Sequence, residues 1–353
     1  MTTATAALSL GRVAAGMAGR NREVSKGMST ERRSLILSAA AVLAAPALLV
    51  RGAAAQQQAE PARQAPGFFR FKLGEFTVTM VHDGAAPRPN PLQGFVVNAE
   101  PAQVEAALRD GALPTSNLPN PFTVTFVDTG RGVVAFDTGT GGGQLAPGTG
   151  LLPRNLQAAG VNPASVTLVA VSHFHADHIT GLTTRENEVV FPNAEVAVPA
   201  VEWAFWSDEG NAPRVPEGQR GTFANTKRRF APYQAKLRQF KDGEEVAPGI
   251  RALAAYGHTP GHSVFHVTSG GEQLFVMADT SSRPDLFLRN PHWQSVFDVD
   301  GPMAAETRKR LFGRIADERA RFTAYHFNFP SNGYATRMGD GFRFHPAEWT
   351  ASI

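Results

Sequence analysis

The stretch Val171-Ser172-His173-Phe174-His175-Ala176-Asp177-His178 constrains this chain most, because it sets four metal-competent side chains within six positions. The run before it, Val166 to Val171, is apolar and rich in β-branched residues, so it reads as a buried strand. The donor groups therefore leave a strand end and enter a loop, where several side chains can converge on one point. His173 and His175 are two apart and point to the same side of an extended chain. Asp177 and His178 are adjacent and can face a second point nearby. Neutral imidazole and carboxylate suit a borderline divalent ion such as Zn²⁺.

Three later strand ends complete the pattern. The turn Tyr256-Gly257-His258-Thr259-Pro260-Gly261-His262 follows the strand 250–255, and its glycines and proline push His258 forward. His262 reads as a supporting or core histidine rather than a ligand. Phe275 to Ala278 is a strand that ends in Asp279, the place for a bridging carboxylate, and Thr323 to Tyr325 ends in His326. Of the remaining histidines, His266 lies inside a strand, and His292 sits in the loop after Asp279, where solvent is expected over substrate. The glycine-rich loop Asp137 to Gly143 lacks a nucleotide-binding spacing, so it reads as backbone room beside the metal loop. The chain has no cysteine, which excludes a thiolate nucleophile, a cysteine metal site and disulfides.

The pI of about 9.4 suggests a nucleic-acid partner until the charges are located. Of 34 basic and 31 acidic residues, the first 55 positions hold seven and two, which leaves 27 and 29 for the rest. The basicity belongs to the leader, and the footprint of a nucleic-acid binder is absent. Arg32-Arg33 precede an apolar run, Ser34 to Val50, too short and alanine-rich for a membrane span, and Arg51 to Ala55 supplies small residues for cleavage before Gln56. Twin arginines before a mild apolar run are an export address. We therefore expect a leader over 1–55, a linker over 56–66, a single enzymatic domain over 67–353, no membrane span after leader cleavage, and a periplasmic or secreted location. Met28 would give a leader of usual length and is the expected translation start.

Within 67–353 the pattern predicts a hairpin of 68–73 and 76–81, broken order over 87–91, and a short helix over 102–110. Strands are expected at 122–127, 133–136, 166–171, 195–198, 250–255, 263–268, 273–277, 321–325 and 341–344. Helices are expected at 152–159, 202–207, 223–240 and 303–319. Hairpins followed by strands alternating with helices, twice over, predict two β-rich sheets with helices outside, an α/β class.

With these residues in view, the chain resembles the metallo-β-lactamase fold superfamily. The resemblance rests on H-x-H-x-D-H at 173–178, G-H-T-P-G-H at 257–262, A-D at 278–279, Y-H at 325–326 and Asp137 in F-D-T-G. It implies a four-layer αββα sandwich with two metal ions at one edge. By the same resemblance His173, His175 and His258 would hold one ion, Asp177, His178 and His326 the other, and Asp279 would bridge them. Asp137 would support the loop from behind. Within the superfamily the chain is similar to the exported methyl parathion hydrolase group, through 65–70, 191–194, 246–250 and 327–330, with Trp206 and Phe223 at its aromatic pocket positions. Quorum-quenching lactonases are next, but they carry a tyrosine where this chain has Ser282.

The implied activity is hydrolysis of an ester-type bond in a small molecule (an organophosphate triester, an aryl ester or a lactone). A hydroxide shared by two divalent ions would attack, with Asp177 or Asp279 moving a proton. Zinc leads among the metals, and Mn, Co or Fe also suit such donors. The alternatives are an iron-dependent oxidoreductase on the same fold and a metal-dependent binding protein. A homodimer is expected from the commonness of that assembly.

Overall fold

The computed structural model describes residues 64–353. The expected leader, the Met28 start and linker positions 56–63 lie outside the described residues.

Fourteen strands form two seven-stranded sheets, each in sequence order. The first holds β1 (Phe68–Leu73), β2 (Phe76–Pro89), β3 (Asn117–Asp128), β4 (Val133–Phe136), β5 (Val166–Ala170), β6 (Glu195–Pro199) and β7 (Leu237–Phe240). Its pairings are antiparallel from β1 to β4 and parallel from β4 to β7. The second holds β8 (Glu245–Ala247), β9 (Ile250–Ala254), β10 (Ser263–Ser269), β11 (Glu272–Val276), β12 (Arg321–Thr323), β13 (Asn332–Met338) and β14 (Gly341–Pro346). Only its β11–β12 pair is parallel.

Strand alternation explains the layers. On β4, Val134 and Phe136 turn inward while Ala135 turns outward, because successive side chains take opposite faces. Phe136 meets Phe265 of β10 with ring centroids 5.0 Å apart, so the two sheets share one core. The outer face of the first sheet is covered by α2 (Leu152–Ala158), α3 (Ala176–Ile179), α4 (Ala200–Trp206) and α5 (Gly221–Phe230). The second is covered by α6 (Gly301–Glu318), whose Leu311, Phe312 and Ile315 share a helical face and pack with Val264, Phe275 and Met277. Asp300 caps α6 by accepting from the Met303 amide at 3.0 Å. A satellite cluster joins α1 (Pro101–Asp110) to Leu286, Phe287 and Trp293. The expected αββα layering is the one observed. No helix of the described residues is long and apolar enough to cross a membrane.

Three local expectations are corrected. Order does not break at 87–91: β2 runs to Pro89, with Pro87 opposite Pro119 and Ala85 opposite Pro121. These prolines recur every second residue at one type of pairing site, and Pro87 opposite Pro119 can only be a non-hydrogen-bonded pair. The ladder asks nothing of the missing N–H groups. The stretch 223–240 is not one helix, since α5 ends at Phe230, a tight turn holding Pro232 follows, and Leu237–Phe240 is β7. Strands β8 and β13 were not expected; β13 opens on Asn332-Gly333, which reads as a turn.

Candidate metal centre

Four strands deliver the donors from their C-terminal ends. His173 and His175 leave β5 in an extended segment, and Asp177 and His178 fall in the single turn of α3 that follows. His258 stands in the turn after β9, Asp279 in the turn after β11, and His326 after β12. β5 belongs to the first sheet and the others to the second, so the donors meet where the two sheets face each other.

The seven side chains gather into two groups that each could hold a metal ion: His173, His175, His258 and Asp279, and Asp177, His178, Asp279 and His326. Within each group the donor atoms lie within 4.8 Å of one another. Asp279 belongs to both. Its Oδ2 lies 3.2 Å from His258 Nε2 and 3.0 Å from His326 Nε2, and its Oδ1 lies 3.2 Å from His178 Nε2. Asp177 Oδ2 sits 3.4 Å from His178 Nε2 and 3.3 Å from His326 Nε2.

The outward nitrogens fix which atoms face the centre. Nδ1 of His173 meets the Ser172 hydroxyl at 2.9 Å, His178 Nδ1 meets Asp137 Oδ2 at 2.8 Å, and His258 Nδ1 meets Asp298 Oδ1 at 2.8 Å. His326 Nδ1 faces the Pro121 carbonyl at 2.9 Å. A nitrogen engaged from behind sets the tautomer and leaves Nε2 as the donor to a metal. Among the described residues, Nε2 of His175, His178 and His258 and Oδ1 of Asp279 are buried with no hydrogen-bond partner. Orphaned buried polar atoms are costly; those of His178, His258 and Asp279 face one another, as atoms that ligate a cation would, while His175 turns Nδ1 toward His173 Nε2 at 3.1 Å. The donor set fits a pair of divalent ions.

Electrostatics point the same way. Burial would raise the Asp279 carboxyl, but the imidazoles of His326 and His178 hold it well below the ordinary range. Burial and the neighbouring His258 push His175 down to about 3. Burial would also lower His258, yet its bonds to Asp279 and Asp298 lift it to about 9. Some imidazoles are thus kept neutral and others charged within one cluster, a division that bound cations would remove.

Support from behind is extensive. Asp137, at φ +66°, accepts from the Ser172 amide and hydroxyl, both at 2.7 Å, and from His178. His262 is buried, with Nδ1 on the Ala255 carbonyl at 2.9 Å and Nε2 accepting from the Asp279 amide at 3.2 Å. It steadies the bridging position from the backbone side. The glycine-rich loop does lie against the metal loop: the Thr138 amide donates to the His178 carbonyl at 2.8 Å, and a Cβ on Gly181 would lie 1.8 Å from the Thr138 oxygen.

Trp206 and Phe223 are buried with ring centroids 4.9 Å apart, and they line a cavity of about 410 Å³ with Trp203, Thr226 and Phe230. The Trp206 ring is 6.5 Å from that of His175. Phe205, Trp206, Phe223 and Phe230 all belong to one packed core cluster, and none of the seven donors lines that cavity. His292 is exposed, and His266 stacks on Phe275. Sequence reasoning missed three groups. Asp298 lies behind His258, and the buried Arg308 binds the carbonyls of Thr280, Pro291 and Trp293 with Asp298 Oδ2 3.6 Å away. Glu202 lies inside α4. It shares a face with Phe205 and Trp206 at i+3 and i+4, the one local signal that marked it as buried.

Comparison with known proteins agrees with this architecture. Residues 119–353 match the family model of the metallo-beta-lactamase superfamily. The solved structure of AbOPH, a hydrolase in the beta-lactamase superfamily, superposes with a TM-score of 0.76 at 24% identity, over 82% of this chain and 100% of that one. AidC, a dizinc quorum-quenching lactonase solved with a product, gives 0.75 at 27% identity over 80% and 98%. A probable metal-dependent hydrolase from Staphylococcus aureus gives 0.67 at 18% identity over 80% and 100%. The chain belongs to the metallo-β-lactamase superfamily.

Proposed function

From this membership we infer that the protein is a dinuclear-metal hydrolase of ester-type bonds in small molecules. The observation that carries the reading is Asp279, one buried carboxylate shared by two donor groups, in each of which an inward nitrogen (His258 Nε2, His178 Nε2) has no hydrogen-bond partner. His173, His175 and His258 would hold one ion, Asp177, His178 and His326 the other, and Asp279 both. Two divalent ions supply Lewis acidity and a water activated near neutral pH. The chain's own residues do the rest. Asp137 and Asp298 orient His178 and His258. Asp177, the more exposed of the two carboxylates, is suited to take up and return a proton, with Asp279 second. Trp206 and Phe223 would wall the apolar side of the pocket from the His175 flank.

Zinc is the first candidate, supported by the dizinc AidC, and Mn, Co and Fe suit the same donors. Among substrates, organophosphate triesters, aryl esters and lactones stay in view. The likeness to a lactonase at 27% identity supports the lactone, although Ser282 stands where such enzymes carry a tyrosine. Export under the 1–55 leader is part of the same proposal, and fractionation of expressing cells tests it.

The decisive experiment is a hydrolysis panel on metal-loaded protein beginning at Gln56. It holds a nitrophenyl phosphotriester, an aryl ester, several lactones and a β-lactam, each beside an Asp279→Ala control. Turnover lost in the control supports the reading. Turnover that survives Asp279→Ala, or silence on the whole panel from protein holding two metal equivalents, sinks it.

A further inference from the structure

We infer that Glu202 is a positioning residue that clamps together the two loops supplying the three histidines of the first donor group. The inference rests on the metal-centre reading for its consequence and on geometry for its cause. Glu202 is fully buried on α4, and its hydrogen bonds go to none of the seven donors. Its Oε1 accepts from the Phe174 amide at 3.0 Å, between His173 and His175, and from the Trp206 indole at 2.7 Å. Its Oε2 accepts from the Thr259 hydroxyl at 2.9 Å and the Gly261 amide at 2.7 Å, in the turn that carries His258. One oxygen thus serves the β5 loop and the other the β9 turn.

Among the described residues no cation pairs with this carboxylate. Burying an unpaired anion is costly, and here it is offset by four buried donors that an apolar side chain of the same size would leave without an acceptor. What the carboxylate supplies in return is a fixed separation between His173 with His175 on one side and His258 on the other. Gly261 makes the contact close enough: a Cβ there would lie 2.2 Å from the Glu202 amide nitrogen. The approach of α4 to the turn therefore depends on glycine at 261 as well as on the carboxylate at 202.

The near-isosteric Glu202→Gln tests this sharply, because an amide keeps one acceptor. If its oxygen stays with Phe174 and Trp206, which offer only donors, its NH₂ faces the Gly261 N–H and the turn loses its anchor. Hydrogen exchange on metal-free protein should then speed up at Gly261 and stay slow at Phe174, while Glu202→Ala should free both. Metal titration against a competing chelator should show the first ion bound roughly ten- to hundredfold more weakly in Glu202→Gln, the range for lost support behind a ligand. The second ion should be nearly unaffected, and the Co²⁺ absorption of the first site should change. A residue that only stabilised the fold would lower the melting temperature and leave the two affinities in their original ratio. Unchanged exchange at Gly261 together with an unchanged affinity ratio overturns the clamp. Failure of the wild-type protein to bind metal would remove the metal-centre reading, and exchange at Gly261 would still decide whether Glu202 holds the turn.

Discussion

Asp298→Asn should weaken the metal centre through His258 alone, by an amount the geometry sets. The carboxylate has two duties: Oδ1 meets His258 Nδ1 at 2.8 Å, and Oδ2 accepts from the Ser295 amide at 2.9 Å with Arg308 3.6 Å away. The asparagine oxygen can keep one of these. With that oxygen on His258, the NH₂ faces two donors, and one charge-assisted bond of roughly 1.5–3 kcal/mol is lost. Arg308 keeps its three carbonyls, so the guanidinium is not stranded. The weaker hold on His258 should lower affinity for the first ion roughly ten- to hundredfold, about 1.4–2.7 kcal/mol. A second effect opposes it. Asp298 helps raise His258 to about 9, so at pH 7 a metal must displace a proton from that ring. Removing the carboxylate lowers that pKa and eases the displacement. The loss in affinity should therefore be small at pH 7 and grow as the pH rises through 9, where the wild-type ring gives up the proton. Chelator competition at several pH values reads this directly. Equal affinities throughout, or a gap that closes as pH rises, would refute the reasoning.

Trp206→Ala should destabilise the protein by roughly 3–5 kcal/mol, since it empties a packed site and removes a donor from Glu202; an unchanged denaturation midpoint would contradict that packing. Stripping metal from the wild-type protein should lower its melting temperature, because an ion present at a thousand times its dissociation constant stabilises by about 4 kcal/mol; calorimetry with and without chelator checks this. Burial lifts the Glu202 carboxyl from 4.5 to about 6. The folded state then favours the protonated form, so this group's contribution to stability is full below pH 4.5 and falls by roughly 2 kcal/mol as pH rises through 6. Unfolding of metal-free Glu202→Gln should lack that slope, and identical pH profiles would count against it.

What was legible in the sequence is what is local. His173 to His178 lie within one turn and its approach, and each of the other donors is the first metal-competent residue after a mainly apolar strand, so burial pattern and chemistry coincide in a few residues. The layer order was legible from element order, hairpins followed by strands alternating with helices, whereas Val134, Ala135 and Phe136 are all apolar and only the structure divides them between two faces. The errors came where a local rule was overruled by a partner distant in sequence. Pro87 and Pro89 look like breakers until Pro119 and Asn117 are found opposite, and Leu237 to Phe240 is too short to announce a strand without β6 beside it. Asp298 and Glu202 escaped because their partners, His258, Phe174 and Gly261, are 28 to 59 residues away and nothing in spacing points to them. Acidic residues on a loop or a helix are ordinary; only their burial makes these two unusual.

The same distinction bears on how the centre works. Each donor group draws on both sheets: His173 and His175 come from β5 and face His258 and Asp279 from β9 and β11, while Asp177 and His178 face Asp279 and His326. Without cations, the contact between sheets at this edge consists of close, buried imidazoles and carboxylates, some charged and some forced neutral. Charges of both signs at this edge leave its spacing dependent on what packs behind it. The long-range supports hold it open: Asp137 within the first sheet, Asp298 and Arg308 on the second, and Glu202 from α4 across to both. On the proposed reading, they hold the donors of each group within 4.8 Å of one another, ready for an ion. If the centre binds ions as proposed, ion binding and sheet packing are one linked equilibrium, and residues outside the donor set shift its position.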